Sequence, residues 1–431
     1  MDDKQVKSVI TCDLEGRIET FNEGAVEIFG YTPDEVISQK RVSLFSPGLI
    51  VLGHVGDWLS IAREQGEYVG QTVFLRKDGT PFSADVRITP TWRDGEQIGY
   101  CGVTTPRPDI PVQEAMPDIG LMTRLFRWLV ITRAPFLTAT IVPILIGAAW
   151  VAASGQVDHF PWVSFVLAMF GGMALHVAAN TFNDYFDWRS GTDPANNAYF
   201  QPLSGGSRSI ELGLITEQQL FRVALGALFV AVAMGIALLY LSGPALILFG
   251  IAGAFSAYFY TAPPLRLAAR KGIGELLVGL NFGPLMTAGT VYALTGRVSL
   301  VDFLVGLPAG LLITAVLWIN QFPDLESDRS TGKHNLVVVL GKDRARWGYA
   351  FLVLGAFALV VVGVTADILP FSALLTLLAL PIGLWTTAHL FRYYRDRILI
   401  KANSGTIVLH VLTGILMAVS LVFAGQISSL L

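Results

Sequence analysis

The sequence predicts a bundle of nine transmembrane helices preceded by a small α+β domain that folds in water. Two observations lead to this fold class. Of the 431 residues, 53% are hydrophobic and 15% are charged, whereas about 25% are charged in an ordinary soluble domain. The charge is also divided unevenly. Residues 1–110 contain 17 acidic and 11 basic side chains and have a net charge of −6. The net charge of the whole chain is −3, so the remaining residues have a net charge of +3. The acidic first part and the apolar remainder are therefore expected to fold in different solvents.

Long uncharged stretches that follow Arg133 predict the membrane spans. They are residues 134–157, 161–183, 223–265, 276–296, 303–323, 347–366, 368–391 and 402–431. A span needs about 20 apolar residues, and the stretch 223–265 is about twice that length. It contains Ser242-Gly243-Pro244, a sequence that favours a turn between two helices. The prediction is therefore nine spans.

Basic residues between the predicted spans indicate the orientation of the chain. With the N-terminus in the cytoplasm, the outer loops contain only Arg297, and the inner loops contain nearly all other Lys and Arg of the bundle. Cytoplasmic loops are enriched in these residues in membrane proteins. We therefore expect a multi-pass protein of the inner (cytoplasmic) membrane with its C-terminus outside. Residues 1–10 carry charges where a signal peptide would be apolar, so no signal peptide is predicted.

Short stretches of alternating apolar and polar residues predict half-buried strands between residues 5 and 105. Glycine-containing turns separate them. The predicted order is two strands, short helices near 25–29 and 33–37, a longer helix near 55–64, and three further strands. The clearest strands are Ser8–Cys12, Gln71–Leu75 and Ala84–Ile88, and the turns lie at Gly16, Asp78-Gly79 and Asp94-Gly95.

Residues 5–105 resemble a PAS domain, through segments 11–18, 21–25, 29–31 and 76–82. The resemblance implies a sensor domain that binds an unknown small ligand. His54 lies where haem-binding members carry a ligand, although most PAS histidines at this place are surface residues. Residues 106–120 contain four prolines and are predicted to be a stiff linker. The predicted domains are thus 1–105, a linker 106–120, and a transmembrane domain 121–431.

Two acidic motifs lie at the ends of the second and sixth predicted spans, both on the predicted cytoplasmic side. Opposed carboxylate clusters repel each other unless a cation lies between them, and oxygen ligands without Cys or His favour Mg²⁺. Ordinary solvated carboxylates at helix ends are the alternative, but acidic residues there oppose the helix dipole. Spacings of three and four residues place each set close to one helix face: Asn180, Asp184 and Asp187 in the first motif, which also contains Asn183, and Asn320, Asp324 and Asp328 in the second.

Residues near the two motifs supply groups that bind phosphate. The segment Ser204-Gly205-Gly206-Ser207-Arg208 offers backbone amides, hydroxyl groups and a guanidinium. Arg189 ends the first motif, and Arg329 and Lys333 follow the second. The basic character of any one of these residues is explained equally well by membrane topology. We predict that Arg189, Ser207, Arg208, Arg329 and Lys333 bind the substrate.

The paired motifs resemble those of the UbiA superfamily of intramembrane aromatic prenyltransferases. Nine spans and the segment Tyr260-Thr-Ala-Pro-Pro264 also match, and the resemblance covers about residues 120–430. The family's first motif often has a third aspartate where this chain has Gly191, with Asp193 two residues further on. The resemblance implies catalytic, Mg²⁺-binding roles for Asp184, Asp187, Asp324 and Asp328, and substrate-binding roles for Asn180, Asn183, Tyr260 and Asn320.

The resemblance implies Mg²⁺-dependent transfer of an isoprenyl chain from a prenyl diphosphate to an aromatic acceptor, regulated by the PAS-like domain. Residues 272–296 are most similar to the branch that prenylates 1,4-dihydroxy-2-naphthoate in menaquinone or phylloquinone synthesis. Acceptors such as 4-hydroxybenzoate, a chlorophyllide or protohaem remain open. A membrane receptor with an inactive bundle is the alternative class, but a mere anchor has no use for four aspartates. The lipid bilayer is a further expected partner, and no nucleic acid is expected.

Overall fold

The computed structural model describes residues 6–196 and 206–430, without the side chains of residue 195 and residues 425–430. The chain forms two compact units. The first contains Met1–Ile131 together with Arg208–Thr216, and the second contains Thr132–Ser207 together with Glu217–Leu431. Residues 204 and 205 of the predicted phosphate-binding segment lie outside the described part of the chain.

A five-stranded antiparallel sheet in the order β2-β1-β5-β4-β3 is the centre of the first unit. The predicted glycine turns are confirmed, because Gly16 and Gly79 have φ angles of +80° and +83°, which favour glycine. The strands are β1 (Ser8–Asp13), β2 (Ile18–Phe21), β3 (Tyr68–Leu75), β4 (Pro81–Arg93) and β5 (Glu96–Pro106). The helices are α1 (Glu23–Phe29), α2 (Pro33–Val36), α3 (Gly48–Ile50), a π-helical turn (Val51–Val55), α4 (Gly56–Gln65), α5 (Val112–Ala115) and α6 (Leu121–Ile131).

Both faces of this sheet are covered. Successive strand residues point to opposite faces, and Phe74 belongs to one hydrophobic cluster while Val73 belongs to another. The second cluster also contains Trp58 of α4 and Ala115 of α5, which is 4% exposed. Part of the segment predicted as a linker, residues 106–120, therefore packs within the folded unit.

The segment Arg208–Thr216 packs against α3 in the same unit. Gly48 begins α3, and a Cβ atom at this position would overlap the carbonyl oxygen of Leu212 and lie 2.7 Å from Leu214 Cδ2. The absence of a side chain at Gly48 thus allows close contact between two backbones that are about 160 residues apart in the sequence.

The second unit is an all-α bundle. Among the described residues, eight helical spans have the length and apolar composition to cross a membrane, and α11 is a shorter apolar helix. The predicted turn at Ser242–Pro244 is confirmed, whereas the count of nine spans is not, because the 14 residues of α11 extend only about 21 Å. The helices are α7 (Thr138–Ala153), α8 (Trp162–Arg189), α9 (Thr192–Ala195), α10 (Glu217–Ser242), α11 (Leu246–Phe259), α12 (Ile273–Leu280), α13 (Met286–Thr295), α14 (Leu300–Ser330), α15 (Leu336–Leu340), α16 (Lys342–Thr365), α17 (Leu380–Tyr393) and α18 (Ile400–Leu430).

Glycines bring α14 close to the segment that joins α12 and α13. A Cβ atom at Gly283 would lie 2.5 Å from Gly310 Cα and 2.7 Å from the carbonyl oxygen of Gly306. Small residues at four-residue spacing permit such close helix packing in membranes. Since α14 carries the second acidic motif, this contact positions the functional site.

Candidate active site

The two acidic motifs come together through side chains that follow them in the sequence. The ammonium group of Lys333, after α14, lies 3.2 Å from Asp187 Oδ2 and 3.7 Å from Asp328 Oδ1. Asn196, after α8, donates from Nδ2 to Asp324 Oδ1 at 2.7 Å. Each motif is therefore held to the other by a residue outside both helices.

The positively charged side chain of Lys333 lies between an aspartate of each motif. Burial alone would lower the pKa of Lys333, but the charges of Asp187 and Asp328 raise it well above its usual value. Asn335 donates to the second oxygen of Asp328 at 2.7 Å. The lysine therefore remains charged at neutral pH and partly neutralises one aspartate of each motif.

Asp184 lies nearly buried beside the cavity, with 3% exposure. Its Oδ2 accepts a hydrogen bond from the amide of Ser207 at 3.2 Å, and its Oδ1 lies 3.7 Å from an Arg133 nitrogen. A Cβ atom at Gly206 would lie 2.9 Å from Asp193 Oδ2 and 3.1 Å from Asp184 Oδ1. The bare glycine thus leaves a small space beside two carboxylates.

A cavity of about 250 Å³ extends from the acidic motifs between the helices. Most of its lining surface is apolar, and its charged side chains gather where the two motifs meet. Apolar lining residues include Phe136, Leu175, Val278, Phe282, Met286, Ile313 and Leu317. Polar lining residues are Arg133, His176, Asn180, Asn183, Asp187, Thr192, Asp193, Asn196, Ser256, Tyr260, Asn281, Asn320, Gln321, Asp324, Asp328 and Lys333.

Most of the residues predicted from the sequence line this cavity, and five do not. Asp184 and Ser207 contact each other beside the cavity. Arg189 and Arg329 are largely exposed and pair with Glu217 at 3.4 Å and Glu326 at 3.7 Å, respectively. Arg208 belongs to the first unit, where it pairs with Glu211 at 2.8 Å. The predicted residues that line the cavity are Asn180, Asn183, Asp187, Tyr260, Asn320, Asp324, Asp328 and Lys333.

Sequence reasoning gave no site role to several polar residues that line the cavity, among them Arg133, Asn196 and Gln321. Arg133 has a left-handed backbone conformation with φ +53°, and its position immediately before the first uncharged stretch was a usable signal. Asn196 and Gln321 carried no distinguishing signal, because single amide residues near a motif are common. Tyr260 was predicted from the sequence, and it lines the cavity.

The donor atoms present at the site fit a hard divalent cation. Asp184 Oδ1 and Asn183 Oδ1 are buried and have no hydrogen-bond partner among the described residues. The space beside Gly206 is bordered by carboxylate oxygens, and oxygen ligands are those that Mg²⁺ prefers. Within the described ranges, no three His, Cys, Asp or Glu side chains form a metal-binding group by themselves. Mg²⁺ commonly completes its coordination shell with substrate phosphates and water.

The structure is a helical membrane bundle in which two acidic motifs border a largely apolar cavity. These are the features of intramembrane prenyltransferases. Residues 140–403 match the model of the UbiA prenyltransferase family, and residues 6–104 match the model of a PAS domain. The chain therefore belongs to the UbiA prenyltransferase family and carries a PAS domain.

Two bacterial enzymes and one solved structure are similar to this chain. The chain is 30% identical over 241 residues to the 1,4-dihydroxy-2-naphthoate octaprenyltransferase of Escherichia coli, which covers 54% of this chain and 75% of the relative. The Bacillus subtilis enzyme of the same name is 26% identical over 49% of this chain, and the match spans 65% of its own length. A solved UbiA homologue from Archaeoglobus fulgidus, bound to DMAPP and Mg²⁺, is 16% identical with a TM-score of 0.49, covering 68% of this chain and 99% of that one.

Proposed function

We propose that this protein transfers an isoprenyl chain from a prenyl diphosphate to an aromatic acceptor in quinone biosynthesis, with 1,4-dihydroxy-2-naphthoate as the preferred acceptor and Mg²⁺ as the cofactor. The observation that carries the proposal is the meeting of two acidic motifs around Lys333 at the polar end of an apolar cavity. An anchor without activity would not need buried carboxylates, whose desolvation is unfavourable.

The polar end of the cavity is suited to hold a diphosphate. Asp184, Asp187, Asp324 and Asp328 would hold Mg²⁺, which supplies Lewis-acid neutralisation of the diphosphate oxygens when bound. Arg133 and Lys333 line the same end of the cavity and would contact the phosphate oxygens directly. As the bond between the allylic carbon and oxygen breaks, the electron pair goes to the diphosphate, and these cations stabilise the developing negative charge.

The apolar part of the cavity is suited to the isoprenyl chain and to the reactive carbocation. Phe136, Phe282 and Leu317 present no group that could attack the cation, and exclusion of water prevents formation of an alcohol. A ring carbon of the acceptor donates an electron pair to form the new carbon–carbon bond. The ring then releases a proton, or carbon dioxide where that carbon carried a carboxylate, and the electron pair of the broken bond restores the aromatic ring.

An acceptor panel tests the reaction. Membranes that contain the protein are incubated with Mg²⁺ and a radiolabelled prenyl diphosphate, together with 1,4-dihydroxy-2-naphthoate, 4-hydroxybenzoate, a chlorophyllide or protohaem. We expect a lipid-soluble labelled product with the naphthoate that disappears when Mg²⁺ is chelated. Preferential labelling of another acceptor would replace the naphthoate, and the absence of labelled product with every acceptor would contradict the prenyl-transfer proposal.

We also propose that the PAS domain regulates transfer through the segment Arg208–Thr216. This segment follows Ser207, whose amide donates to Asp184, and it packs against Gly48 of the PAS domain. A change of conformation at α3 would therefore be transmitted along the chain toward a residue of the first acidic motif.

Two glycine substitutions test this connection. Gly48→Ala places a Cβ atom on the carbonyl oxygen of Leu212, whereas Gly56→Ala is a matched control because no atom lies within 4 Å of its Cβ position. We expect Gly48→Ala to change the rate of transfer and Gly56→Ala to leave it unchanged. The contrary result is an equal rate of transfer in the two variants together with increased protease cleavage of residues 208–216 in the Gly48→Ala protein. It would show that the segment moves without regulating the enzyme.

A further inference from the structure

Gln321 carries a buried hydrogen-bond acceptor at the cavity wall. The residue lies in α14, three positions before Asp324, and is 8% exposed. Its Nε2 donates to Glu275 Oε1 at 3.2 Å. Its Oε1 is buried and has no hydrogen-bond partner among the described residues. Burial of a hydrogen-bond acceptor without a donor destabilises the folded protein.

Glu275 determines which way the Gln321 amide points. Glu275 Oε1 accepts from the NH₂ group of Gln321, so the oxygen of the same amide is directed away from Glu275. Glu275 is itself fixed, because its Oε1 also accepts from the backbone amide of Leu336 at 2.8 Å and its side chain is 3% exposed. The amide orientation therefore depends on a carboxyl oxygen that the start of α15 also holds in place.

The position of Gln321 separates it from the diphosphate-binding groups. Asp324 and Asp328 follow it on the same helix at i+3 and i+7, so the three residues share a face of α14, and all three line the cavity. Gln321 lies deeper within the span than either aspartate. A negatively charged diphosphate has no hydrogen to donate to the Gln321 oxygen, whereas an aromatic hydroxyl group has one.

We propose that Gln321 Oε1 accepts a hydrogen bond from a ring hydroxyl of the aromatic acceptor, and that Glu275 is the positioning residue that orients the amide. This inference rests on the proposed prenyl transfer. The site therefore takes aromatic acceptors with a free hydroxyl group at the edge of the ring. A hydrogen bond from that hydroxyl also increases electron density on the ring, which favours its attack on the carbocation.

The first experiment compares acceptors and a variant. Gln321→Met keeps a side chain of similar length but removes the acceptor, and Gln219→Met is the matched control at an exposed position of α10. We measure KM for the naphthoate acceptor, KM for the prenyl diphosphate, and kcat/KM for an acceptor whose ring hydroxyl groups are replaced by methoxy groups.

We expect Gln321→Met to raise the acceptor KM about tenfold and to leave the prenyl diphosphate KM unchanged. The wild-type enzyme and Gln219→Met should prefer the hydroxyl form over the methoxy form, and Gln321→Met should lose most of this preference. A residue that served only helix packing would change both KM values or neither, and would leave the preference intact.

A second variant tests the role of Glu275. Glu275→Gln still offers a carbonyl oxygen to Leu336 and Gln321, but its NH₂ group also permits the Gln321 amide to turn over. We therefore expect a partial loss of the hydroxyl preference, smaller than in Gln321→Met, with normal binding of the prenyl diphosphate. An unchanged hydroxyl preference in Glu275→Gln would remove Glu275 from the proposal.

The outcomes distinguish this inference from the proposed function. Equal kcat/KM for the hydroxyl and methoxy acceptors in the wild-type enzyme would overturn the hydroxyl site even if Gln321→Met failed to fold. An unchanged acceptor KM in a folded Gln321→Met protein would do the same, while wild-type transfer would still support the enzyme. A wild-type protein that transfers no prenyl group to any acceptor would contradict the proposed function itself.

Discussion

Lys333 shows how one residue can organise a charged site in a bundle. Its ammonium group contacts Asp187 from the first motif and Asp328 from the second. Buried carboxylates without a cation would repel each other and would be poorly solvated. The lysine compensates part of this charge, and Arg133 lies near Asp184 in a similar way. Both cations would be able to contact a diphosphate that enters the same cavity.

Substitution of either acidic motif should eliminate transfer. We predict that Asp184→Ala and Asp324→Ala each lower kcat at least about 100-fold, because each removes a group that balances the charge of the diphosphate complex. Radiolabelled prenyl transfer measures the effect, and chromatography in detergent verifies that the variants are folded and inserted. Asp158→Ala, at an exposed acidic position outside both motifs, is the control. Activity within about threefold of wild type in either motif variant would contradict the assignment.

At the scale of elements, α14 connects membrane packing to the active site. Its middle contains Gly306 and Gly310, which approach Gly283 between α12 and α13, and its C-terminal part carries Asp324 and Asp328. The same helix therefore needs small residues at one depth and carboxylates at another. A shift of the packed part would displace the carboxylates relative to Lys333.

Added methyl groups at the close contact should reduce both stability and activity. We predict that Gly283→Ala or Gly310→Ala lowers the free energy of unfolding by about 1–3 kcal/mol, because each Cβ atom would meet backbone atoms that cannot rotate away. Thermal unfolding in detergent and prenyl transfer measure the two effects. Gly226→Ala on α10 is the control, since no atom lies within 4 Å of its Cβ position. A Gly283→Ala protein as stable as this control would show that the two segments separate at little cost.

At the scale of the whole molecule, the distribution of basic residues predicts the orientation in the membrane. We expect residues 1–120 and the loops 184–218, 261–272 and 321–345 in the cytoplasm, and the C-terminus outside. Single cysteines at exposed positions 330 and 298 should react with an impermeant reagent from the inside and the outside, respectively. Reaction of position 330 from outside only would reverse the orientation.

The natural cysteines should interfere little with this labelling. Burial raises the pKa of the Cys12 thiol to about 12, and burial also raises the pKa of Cys101. A raised pKa leaves less of the reactive thiolate at any pH below it, so both residues should react slowly near pH 8. The unsubstituted protein serves as the control, and its labelling should increase only after denaturation.

The PAS domain should be dispensable for the chemical step. Every residue that lines the cavity belongs to the second unit, so a protein that begins near Asp118 should still transfer the prenyl group. Its response to a PAS ligand or redox condition should be lost, and residues 208–216 should become more sensitive to protease, because they pack against the PAS domain in the full chain. A truncated protein that inserts and binds prenyl diphosphate but does not turn over would show that the PAS domain completes the site.

Local sequence patterns were sufficient for much of the fold. Alternation and glycine turns predicted the strands of the PAS domain, since side-chain direction along a strand depends only on neighbouring residues. Long uncharged stretches predicted the helices of the bundle, and Ser242–Pro244 predicted the break between α10 and α11. The spacing within each acidic motif predicted a shared helix face, and Asp187, Asp324 and Asp328 do line one cavity. Local patterns were not sufficient for the number of spans, because the length of α11 depends on where its end residues leave the helix.

Only the tertiary structure decided which distant groups meet. Lys333 and Asp187 are 146 residues apart in the sequence, and no local pattern records that they share an ion pair. The orientation of the Gln321 amide depends on Glu275, 46 residues away, and the segment Arg208–Thr216 joins the first unit although it lies between two helices of the second. Sequence spacing fixes the relations among neighbours along one helix or strand. Contacts between elements depend on how their faces pack, which is settled only when the whole chain has folded.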